Sequence, residues 1–453
     1  MSVAPQGDLA ALIAPDVEEM LRSQPQDVPA ALEEFHAADI AEIAQRLSTE
    51  NRALLLQTLP PDQAAGVLEY LDKTTTAETI QELEPAAAGA LLGEMAADDR
   101  ADLVASLPEE VAAPVLAQVA PQERQEVQKL LSYEPNTAGG LMTPEFVRLS
   151  PDVTVGEAIV RIRKGAHDKE TVYAAYVTDN GNKLLGVASL RDLLASPDNL
   201  VLRDVMTERV VSVKVNTDQE EVAQIMGRYD LLAVPVLDDS GAILGIVTVD
   251  DVMDVLVQEG TEDVQRMGAV APIDVPYFKS GVMDVLRARA GWLSVIFLGE
   301  MFTGTVLKEF EDELARAMSL VVFIPLIISS GGNAGSQSST VITRSLAVGE
   351  VKLDDFKKVF NREFAAGMGL GAILGLIGVA RAGLWGFGGD IMATVGLTLM
   401  GVVALGTVLG AVLPMGLKRV GLDPALTSAP FIASLIDVGG ILLYLMVARL
   451  VMF

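Results

Sequence analysis

The hydrophobic positions change their spacing twice along the chain. Residues 35–130 carry an apolar residue every 12 positions, separated by polar turns. Near residue 135 the pattern becomes short apolar runs that alternate with helical stretches, and after residue 285 it becomes long uncharged segments. These three patterns predict a helical repeat, an α/β region and a membrane region, in that order.

The repeat predicts a superhelix of short helices over residues 31–134. Each unit continues through turn or capping residues, such as LPPD or LPEE, into a short helical run. A helix of two turns cannot bury its apolar face alone, so stacked helices must share a core. We expect an acidic regulatory domain here, with a generic interaction module as the alternative, after a flexible segment at residues 1–30. The apolar residues that open the units are Phe35, Leu47, Leu59, Leu71, Leu83, Met95, Leu107 and Val119.

Two similar stretches of about 60 residues follow, at residues 135–200 and 201–255. Each has the order strand, helix, strand, strand, helix, with Asp-Asn-Gly-Asn or Asp-Ser-Gly at the hairpin turn. The first closes with LLGVASLRDLL and the second with ILGIVTVDDVM. The duplication resembles a tandem pair of CBS domains.

This resemblance implies a regulatory nucleotide site. In such pairs a Thr/Ser-x-x-Asp motif near the end of each copy can hold an adenosine ribose, and here the motifs begin at Ser189 and Thr248. Many CBS pairs bind no nucleotide, so both outcomes remain open. The candidate residues are Ser189, Arg191, Asp192 and Thr248.

An acidic connector, DDVMDVLVQEGTED, runs from Asp250 to Asp263, and we expect a connecting helix at residues 256–280. Four of its acids fall within about 140° of one another on a helical wheel: Asp251, Asp254, Glu259 and Glu262. Like charges so placed repel unless cations screen them. The bland alternative is a solvated face. The sharper one is a cation sensor, in which divalent ions bridge converging acidic faces and repulsion separates them when the ions leave.

Five apolar segments follow the connector, and about 20 residues suffice to span a bilayer. Their bounds are residues 290–307, 317–343, 364–380, 391–417 and 425–448. They predict a transmembrane domain of five helices over residues 281–453. Nine flanking basic residues lie on one side and four on the other. By the positive-inside rule, the amino-terminal half is then cytoplasmic and the carboxyl terminus is outside.

Two of these segments carry polar groups at membrane depth. The second, PLIISSGGNAGSQSSTVITRSLA from Pro325 to Ala347, predicts a broken helix with exposed carbonyls. The last, PFIASLIDVGG, contains Asp437, and an intramembrane carboxylate usually marks an ion path. The alternatives are a structural aspartate and small residues that simply allow tight helix packing.

Charge and composition narrow the ligand. Residues 271–453 hold 14 acidic and 14 basic residues, so the whole net charge of −28 lies on residues 1–270. Such a surface disfavours nucleic acid and anionic lipid as partners. The chain has no cysteine and two histidines, so a metal site must be built from oxygens, which favours Mg2+, Ca2+ or Mn2+. No nucleophile–base constellation or phosphate loop is present, and we expect no enzyme activity.

Nearly the whole chain resembles the MgtE family of magnesium channels or transporters, most specifically through PLIISSGGNAGSQS and PFIASLIDVGGILLYL. The resemblance implies a multidomain membrane protein: an all-α superhelical N domain, an α/β tandem CBS pair, a connecting plug helix and a five-helix α transmembrane domain. It also implies a homodimer in the bacterial inner (plasma) membrane, whose two-fold axis would pair two Asp437 side chains.

The resemblance further implies that Mg2+ is imported between the second and fifth membrane helices, and that cytosolic Mg2+ closes the pore. ATP at the CBS pair would raise the sensitivity to Mg2+. The implied pore residues are Asp437, Asn333, Gly331, Gly332, Gln337 and Ser338. The implied sensor residues are Asp98, Asp102, Glu220, Asp230, Asp251, Asp254, Glu259, Glu262 and Asp263.

Two residues depart from this pattern. Ala429 stands where some members carry an asparagine at the pore mouth, and Glu300 in the first segment matches no family pore ligand. Two other functions stay open. One is a secondary transporter of Mn2+ or Ca2+ coupled to protons through Glu300 or Asp437. The other is a sensor whose membrane part is only an anchor, against which the polar second segment argues.

Overall fold

The computed structural model describes residues 6–166, 169–273, 275 and 277–452. The chain forms two units, Met1–Leu256 and Val257–Phe453, each with its own hydrophobic core. Together they confirm the predicted fold class: a helical domain, an α/β pair and a set of long apolar helices.

The first unit begins with ten helices. Their bounds are α1 Gln6–Ser23, α2 Val28–Leu32, α3 Ala37–Arg46, α4 Thr49–Thr58, α5 Pro61–Glu69, α6 Lys73–Glu82, α7 Pro85–Glu94, α8 Ala97–Ser106, α9 Glu109–Leu116 and α10 Pro121–Leu130. From α3 to α10 each helix packs on its second neighbour in sequence, as α4 does on α6 and α6 on α8. Seven of the eight predicted unit-opening residues, all but Phe35, are buried at the ends of these helices, because no two-turn helix covers its apolar face alone.

A polar side chain in every second unit closes the carbonyl end of a helix. Arg52 donates to the carbonyl oxygens of Ala44 and Leu47 at 3.0 and 3.1 Å. Arg100 makes the same contacts with Leu92 and Met95. Thr76 and Arg124 occupy the equivalent positions. Because the carbonyl groups at a helix end lack partners within the helix, these side chains define a structural repeat of two helices.

Residues 1–30, expected as a flexible segment, contain the helix α1. Its Ala10, Ala14, Val17 and Leu21 recur at helical spacing and are buried, and α1 packs on α3. The first five residues lie outside the described part of the chain.

The two predicted copies follow with the predicted element order. Each builds a three-stranded sheet in which the first strand is parallel to the second and the second is antiparallel to the third. The first copy comprises α11 Ala138–Leu141, β1 Val147–Leu149, α12 Val155–Gly165, β2 Ala174–Thr178, β3 Leu184–Ser189 and α13 Leu190–Ala195. The second comprises α14 Leu202–Val205, β4 Val213–Lys214, α15 Gln219–Tyr229, β5 Ala233–Leu237, β6 Ile243–Thr248 and α16 Val249–Met267.

The copies exchange their leading segments. Thr143, ahead of β1 in the first copy, pairs with Ile246 in β6, and Thr207, ahead of β4 in the second, pairs with Val187 in β3. A Cβ atom at Gly245 would lie 2.7 Å from the carbonyl oxygen of Thr143. Only glycine permits this approach, so a glycine at position 245 is required for the pairing.

The second unit contains the membrane helices. Its elements are α17 Val282–Glu309, α18 Glu311–Arg316, α19 Ile324–Ala347, α20 Phe356–Leu384, α21 Gly389–Arg419 and α22 Ala429–Met452. Within the described residues, five of its helical stretches are long and apolar enough to cross a membrane, as predicted. The connecting helix is shifted from the expected residues 256–280, since α16 begins at Val249 and ends at Met267.

The second membrane segment is not broken, and that expectation is wrong. The helix α19 is continuous from Ile324 to Ala347, because Pro325 lies in its first turn, where the missing N–H costs nothing. Its glycines instead allow close packing: a Cβ atom at Gly335 would lie 3.1 Å from the carbonyl oxygen of Gly406 in α21. Small residues at such crossings let helix backbones approach in a membrane.

Candidate functional site

Asp437 lies between three membrane helices. It is on α22, and a Cβ atom at Gly332 of α19 would lie 3.9 Å from its Oδ1 atom. On another side, its carboxyl group is in hydrogen-bonding contact with that of Glu300 on α17. The side chain is half-buried. The structure therefore brings two predicted pore residues, Asp437 and Gly332, together.

A polar stripe runs along the exposed side of α19. Ser329, Asn333, Gln337 and Thr340 recur at helical spacing and are all exposed within one protomer, and Asn333 Nδ2 donates to Ser329 Oγ at 3.3 Å. Amide and hydroxyl groups facing lipid are costly. This stripe therefore requires water or another polar surface against it.

The other two predicted pore residues face away from the stripe. Gly331 is buried, and a Cβ atom there would lie 2.7 Å from Ile436 Cγ2. Ser338 is buried, with its Oγ atom 2.6 Å from Glu363 Oε2 on α20 and 2.9 Å from Thr407 O on α21. Both residues contribute to helix packing, and the structure does not bring them to the carboxylate of Asp437.

An acidic cluster forms in the first unit. Two of its members, Asp98 and Asp99, open α8. Asp251 lies in the first turn of α16, with its carboxylate 2.5 Å from the Thr248 hydroxyl. With Glu69 and Glu170, these residues bring five carboxyl groups into electrostatic interaction, and no described ion pair includes any of them. We call this set the acidic cluster: Glu69, Asp98, Asp99, Glu170 and Asp251.

Burial makes these carboxyl groups hard to ionise. It raises the pKa of Asp99 to about 8, and the neighbouring Glu69 and Asp251 charges add to the effect. Burial likewise raises the pKa of Glu170 to about 7 and that of Asp251 to about 6. The pKa of Asp98 also lies well above its usual value, through burial and the Asp251 charge. Removing carboxylates from water and crowding them both favour the neutral form, and a bound cation would reverse this preference.

Other predicted sensor residues in the first unit lie elsewhere. Asp102 is exposed and pairs with Lys73 at 3.0 Å. Asp230 ends α15 in a left-handed conformation with φ +51° and is exposed. Glu220 accepts a hydrogen bond from Gln224. Asp254 is exposed, and the pKa of its carboxyl group is raised by partial burial and the Asp250 charge.

The predicted sensor residues of the second unit meet a loop that the sequence did not indicate. Glu262 and Asp423, which precedes α22, both pair with Arg266. Partial burial raises the pKa of Asp263, and the charges of Asp423 and Glu259 add to this. The structure thus adds Asp423 to this acidic group at the end of α16.

The part of the chain that the structure describes contains no complete metal site. Among the described residues, no three carboxylate or imidazole groups lie close enough together to hold one ion. A hydrated cation needs only one or two carboxylates, since Mg2+ usually keeps several waters. The acidic groups therefore suit hydrated divalent ions better than a fully dehydrated one.

The nucleotide candidates lie at the ends of β3 and β6. Ser189 caps α13 and donates to Asp192 Oδ2 at 2.6 Å, and both Arg191 and Asp192 are exposed. Thr248 is buried and donates instead to Asp251 of the acidic cluster. Of the two equivalent motifs, only the first leaves its aspartate open to a ligand.

Three residues of these sites were beyond reach of the sequence. Glu170 and Asp423 lie in loops, and Glu69 ends α5. No spacing connects them to the acids they meet. The acidic connector and the family resemblance pointed to two members of the acidic cluster, Asp98 and Asp251.

Comparison with family models covers most of the chain. A model described as a divalent cation transporter, MgtE, matches residues 324–447. A model of the MgtE intracellular N domain matches residues 35–136, and the CBS domain model matches residues 138–198 and 202–258.

Curated relatives match over most of the length of this chain. A magnesium transporter MgtE of Thermus thermophilus is 40% identical over 424 residues, which is 93% of this chain and 94% of the relative. A magnesium transporter MgtE of Enterococcus faecalis is 37% identical over 73% of this chain and 72% of its own. These relatives are named as transporters rather than as enzymes.

Solved structures match the first unit. The soluble part of a magnesium transporter is 35% identical with a TM-score of 0.52, over 55% of this chain and 99% of that chain. The cytosolic domain of the Mg2+ channel MgtE in complex with ATP is 38% identical with a TM-score of 0.51, over 53% of this chain and 99% of that chain. By its fold, its five membrane helices and its full-length relatives, the chain belongs to the MgtE family of magnesium transporters.

Proposed function

We propose that this protein carries Mg2+ across the plasma membrane into the cell, along a path that passes Asp437. The observation that carries the proposal is the placement of this carboxylate beside Gly332, next to the exposed polar stripe of α19. One carboxylate with neutral amide and hydroxyl oxygens suits a cation that keeps most of its waters.

The path is built between two copies of the chain. The stripe of Ser329, Asn333, Gln337 and Thr340 is exposed in one protomer, and five helices with one such stripe make only one wall of a pore. A two-fold axis would bring two stripes and two Asp437 carboxylates face to face. A homodimer is therefore the assembly that supplies water-facing surroundings for these groups.

Cytosolic Mg2+ closes this path through the acidic groups of the first unit and of α16. Five carboxyl groups gather in the acidic cluster without a described ion pair, and burial keeps several of their pKa values high. A divalent ion stabilises such an arrangement, and its loss restores the repulsion. The amino-terminal half is then cytosolic, and the carboxyl terminus lies outside.

ATP binds at the first CBS copy and tunes this response. The exposed Ser189–Asp192 motif and the similarity to a cytosolic domain solved with ATP support this assignment. We place Arg191 beside the nucleotide because it is exposed in the same turn.

The test is ion uptake into proteoliposomes with Mg2+ controlled on both sides. Asp437→Ala should lower Mg2+ uptake to the level of empty vesicles while the protein remains a dimer by size-exclusion chromatography with light scattering. The matched control is Asp390→Ala, an acid at the start of α21, which should retain uptake. Undiminished flux in Asp437→Ala would remove this carboxylate from the path.

Competition by Mn2+ and Ca2+ in the same assay separates this function from a transporter of another hard divalent ion. Mg2+ flux that persists in an excess of either competitor supports a Mg2+ path. Preferential uptake of Mn2+ or Ca2+ would contradict it.

A further inference from the structure

The helices α17 and α22 pack side by side in a register that fixes the position of Glu300. Ser434 Oγ lies 3.5 Å from Ile296 O and donates to it. A Cβ atom at Gly299 would lie 3.3 Å from the same hydroxyl oxygen. One turn further along both helices, the carboxyl groups of Glu300 and Asp437 meet. The packing of the two helices therefore places Glu300 and Asp437 at facing positions.

These two carboxyl groups meet without a balancing positive charge. Within the described residues, no lysine, arginine or histidine forms an ion pair with Glu300 or Asp437. Ionised carboxylates only accept hydrogen bonds, so two of them in contact repel. A divalent cation between them satisfies both groups at once.

A third oxygen accompanies the pair on α17. Thr303 lies three residues after Glu300, and positions three apart share a helix face. Its Oγ1 atom is buried without a hydrogen-bond partner in the described part of the chain. Buried hydroxyl groups are normally paired, so the unpaired Thr303 hydroxyl, one helical turn from Glu300, is available to a ligand or its water.

We propose that Glu300 is a second carboxylate ligand of the transported cation, so that each protomer offers a Glu300–Asp437 pair on α17 and α22. This inference rests on the proposed path through Asp437. It adds α17 to the wall of that path and makes the pair a determinant of how tightly the path holds a hard divalent ion.

A glutamine at position 300 tests the charge with little change of shape. The glutamine side chain has nearly the same size and can still donate a hydrogen bond to Asp437. If Glu300 were only a hydrogen-bond partner, Glu300→Gln would transport as the unmodified protein does. If it is a ligand, the loss of one negative charge in contact with the ion should raise the half-saturating Mg2+ concentration by about tenfold or more.

The experiment measures Mg2+ uptake against external Mg2+ in proteoliposomes, with Mn2+ competition at each concentration. The control is Glu309→Gln, an exposed acid at the end of the same helix, which should keep the half-saturation of the unmodified protein. We expect Glu300→Gln to shift both the Mg2+ half-saturation and the Mn2+ inhibition constant upward, and Asp437→Ala to abolish uptake.

Each outcome is decisive. An unchanged half-saturation in a folded Glu300→Gln dimer overturns the inference while leaving the path through Asp437 intact. If both Asp437→Ala and Glu300→Gln retain full uptake, the proposed path itself is overturned. If Glu300→Gln fails to fold, Glu300→Asp decides, because it keeps the charge but withdraws it by one methylene. A rise of about threefold or more in half-saturation supports the ligand role, and no rise overturns it.

Discussion

The acidic cluster of the first unit and the Glu300–Asp437 pair of the second use the same chemical group under opposite conditions. The cluster gathers five carboxyl groups from separate helices and a loop, within residues 1–270, which bear the whole net charge of the chain. The pair lies within residues 271–453, whose net charge is zero, among neutral hydroxyl, amide and glycine positions. Many carboxyl groups are therefore crowded together at the first site, whereas the second site has only two.

The difference shows how one chain can answer to a cation twice. Crowded carboxyl groups with raised pKa values gain most from an ion that neutralises them, so they report its concentration. Two carboxyl groups beside neutral oxygens hold an ion less strongly than the five of the acidic cluster. They can therefore release the ion, which conduction requires. Mutations should separate these two properties cleanly.

The largest expected effect is that a mutation at one site abolishes uptake, whereas mutations at the other site weaken the response to Mg2+. Asp437→Asn should lose uptake but keep the protection that Mg2+ gives against protease cleavage at residues 255–270. The double variant Asp98→Asn and Asp251→Asn should keep uptake but require about tenfold more Mg2+ for protection, because two of the charges that attract the ion are gone.

The readouts are uptake at low and high internal Mg2+ and limited proteolysis of the same preparations. Asp204→Asn together with Asp152→Asn provides a control for charge removal in the same unit outside the cluster. Equal cleavage with chelator and with Mg2+ in the unmodified protein would refute the sensor, and loss of both properties in every variant would indicate misfolding.

A pH dependence should follow next in size. The pKa values of Asp99, Glu170 and Asp251 in the folded state, about 8, 7 and 6, exceed the unfolded values near 4. A raised folded pKa contributes stability that is fully present below the unfolded pKa and is lost as pH rises through the folded one. Without divalent ions, residues 1–256 should therefore melt about 5 °C lower at pH 8 than at pH 6.

Mg2+ should restore the melting temperature at pH 8 and have little effect at pH 6. Asp99→Asn should flatten the pH dependence, and Asp192→Asn, outside the cluster, should leave it unchanged. Thermal unfolding followed by circular dichroism measures all three. A melting temperature that rises with pH in chelator would show that these carboxyl groups are not buried together.

A smaller effect is expected on ATP binding, because the equivalent motifs of the two CBS copies differ. The Ser189 motif leaves Asp192 exposed, whereas the Thr248 motif commits Asp251 to the acidic cluster. We therefore expect Asp192→Asn to weaken ATP binding by about tenfold, since a charge-assisted hydrogen bond contributes about 1.5–3 kcal/mol. Isothermal titration of ATP measures this, with Asp179→Asn at a hairpin turn as the control. An unchanged affinity would place ATP elsewhere or exclude it.

Periodicity carried the fold prediction because it reflects burial directly. The 12-residue spacing, the duplicated strand pattern and the five apolar segments each correspond to the elements observed. Two local expectations were wrong. Residues 1–30 contain the helix α1, whose buried apolar residues recur at helical spacing. The helix α19 is continuous although it contains glycines, because they allow tight packing on α21.

The sites were predictable only where a motif reaches them. Asp437 stood out because a charge in an apolar segment is rare, and Asp251 because it lies on the acidic face predicted for the connector. Glu69, Glu170 and Asp423 are ordinary surface acids in the sequence, and only the folded chain brings them to other carboxyl groups. Glu300 was visible as a departure, but its partner was not.

The smallest effect separates Asp102 from Asp99, which are one helical turn apart in α8. Both are acids of the same repeat, but Asp102 is exposed and paired with Lys73, while Asp99 is half-buried in the acidic cluster. An exposed ion pair contributes about 0–1 kcal/mol, so Asp102→Asn should shift the Mg2+ midpoint for protease protection by less than about twofold. Asp99→Asn should shift it by at least about fivefold, because a cation next to Asp99 neutralises a half-buried, crowded carboxylate rather than a solvated one. Equal shifts in the two variants would mean that Mg2+ responds to the total charge of α8, and that the crowding of the acidic cluster has no part in sensing.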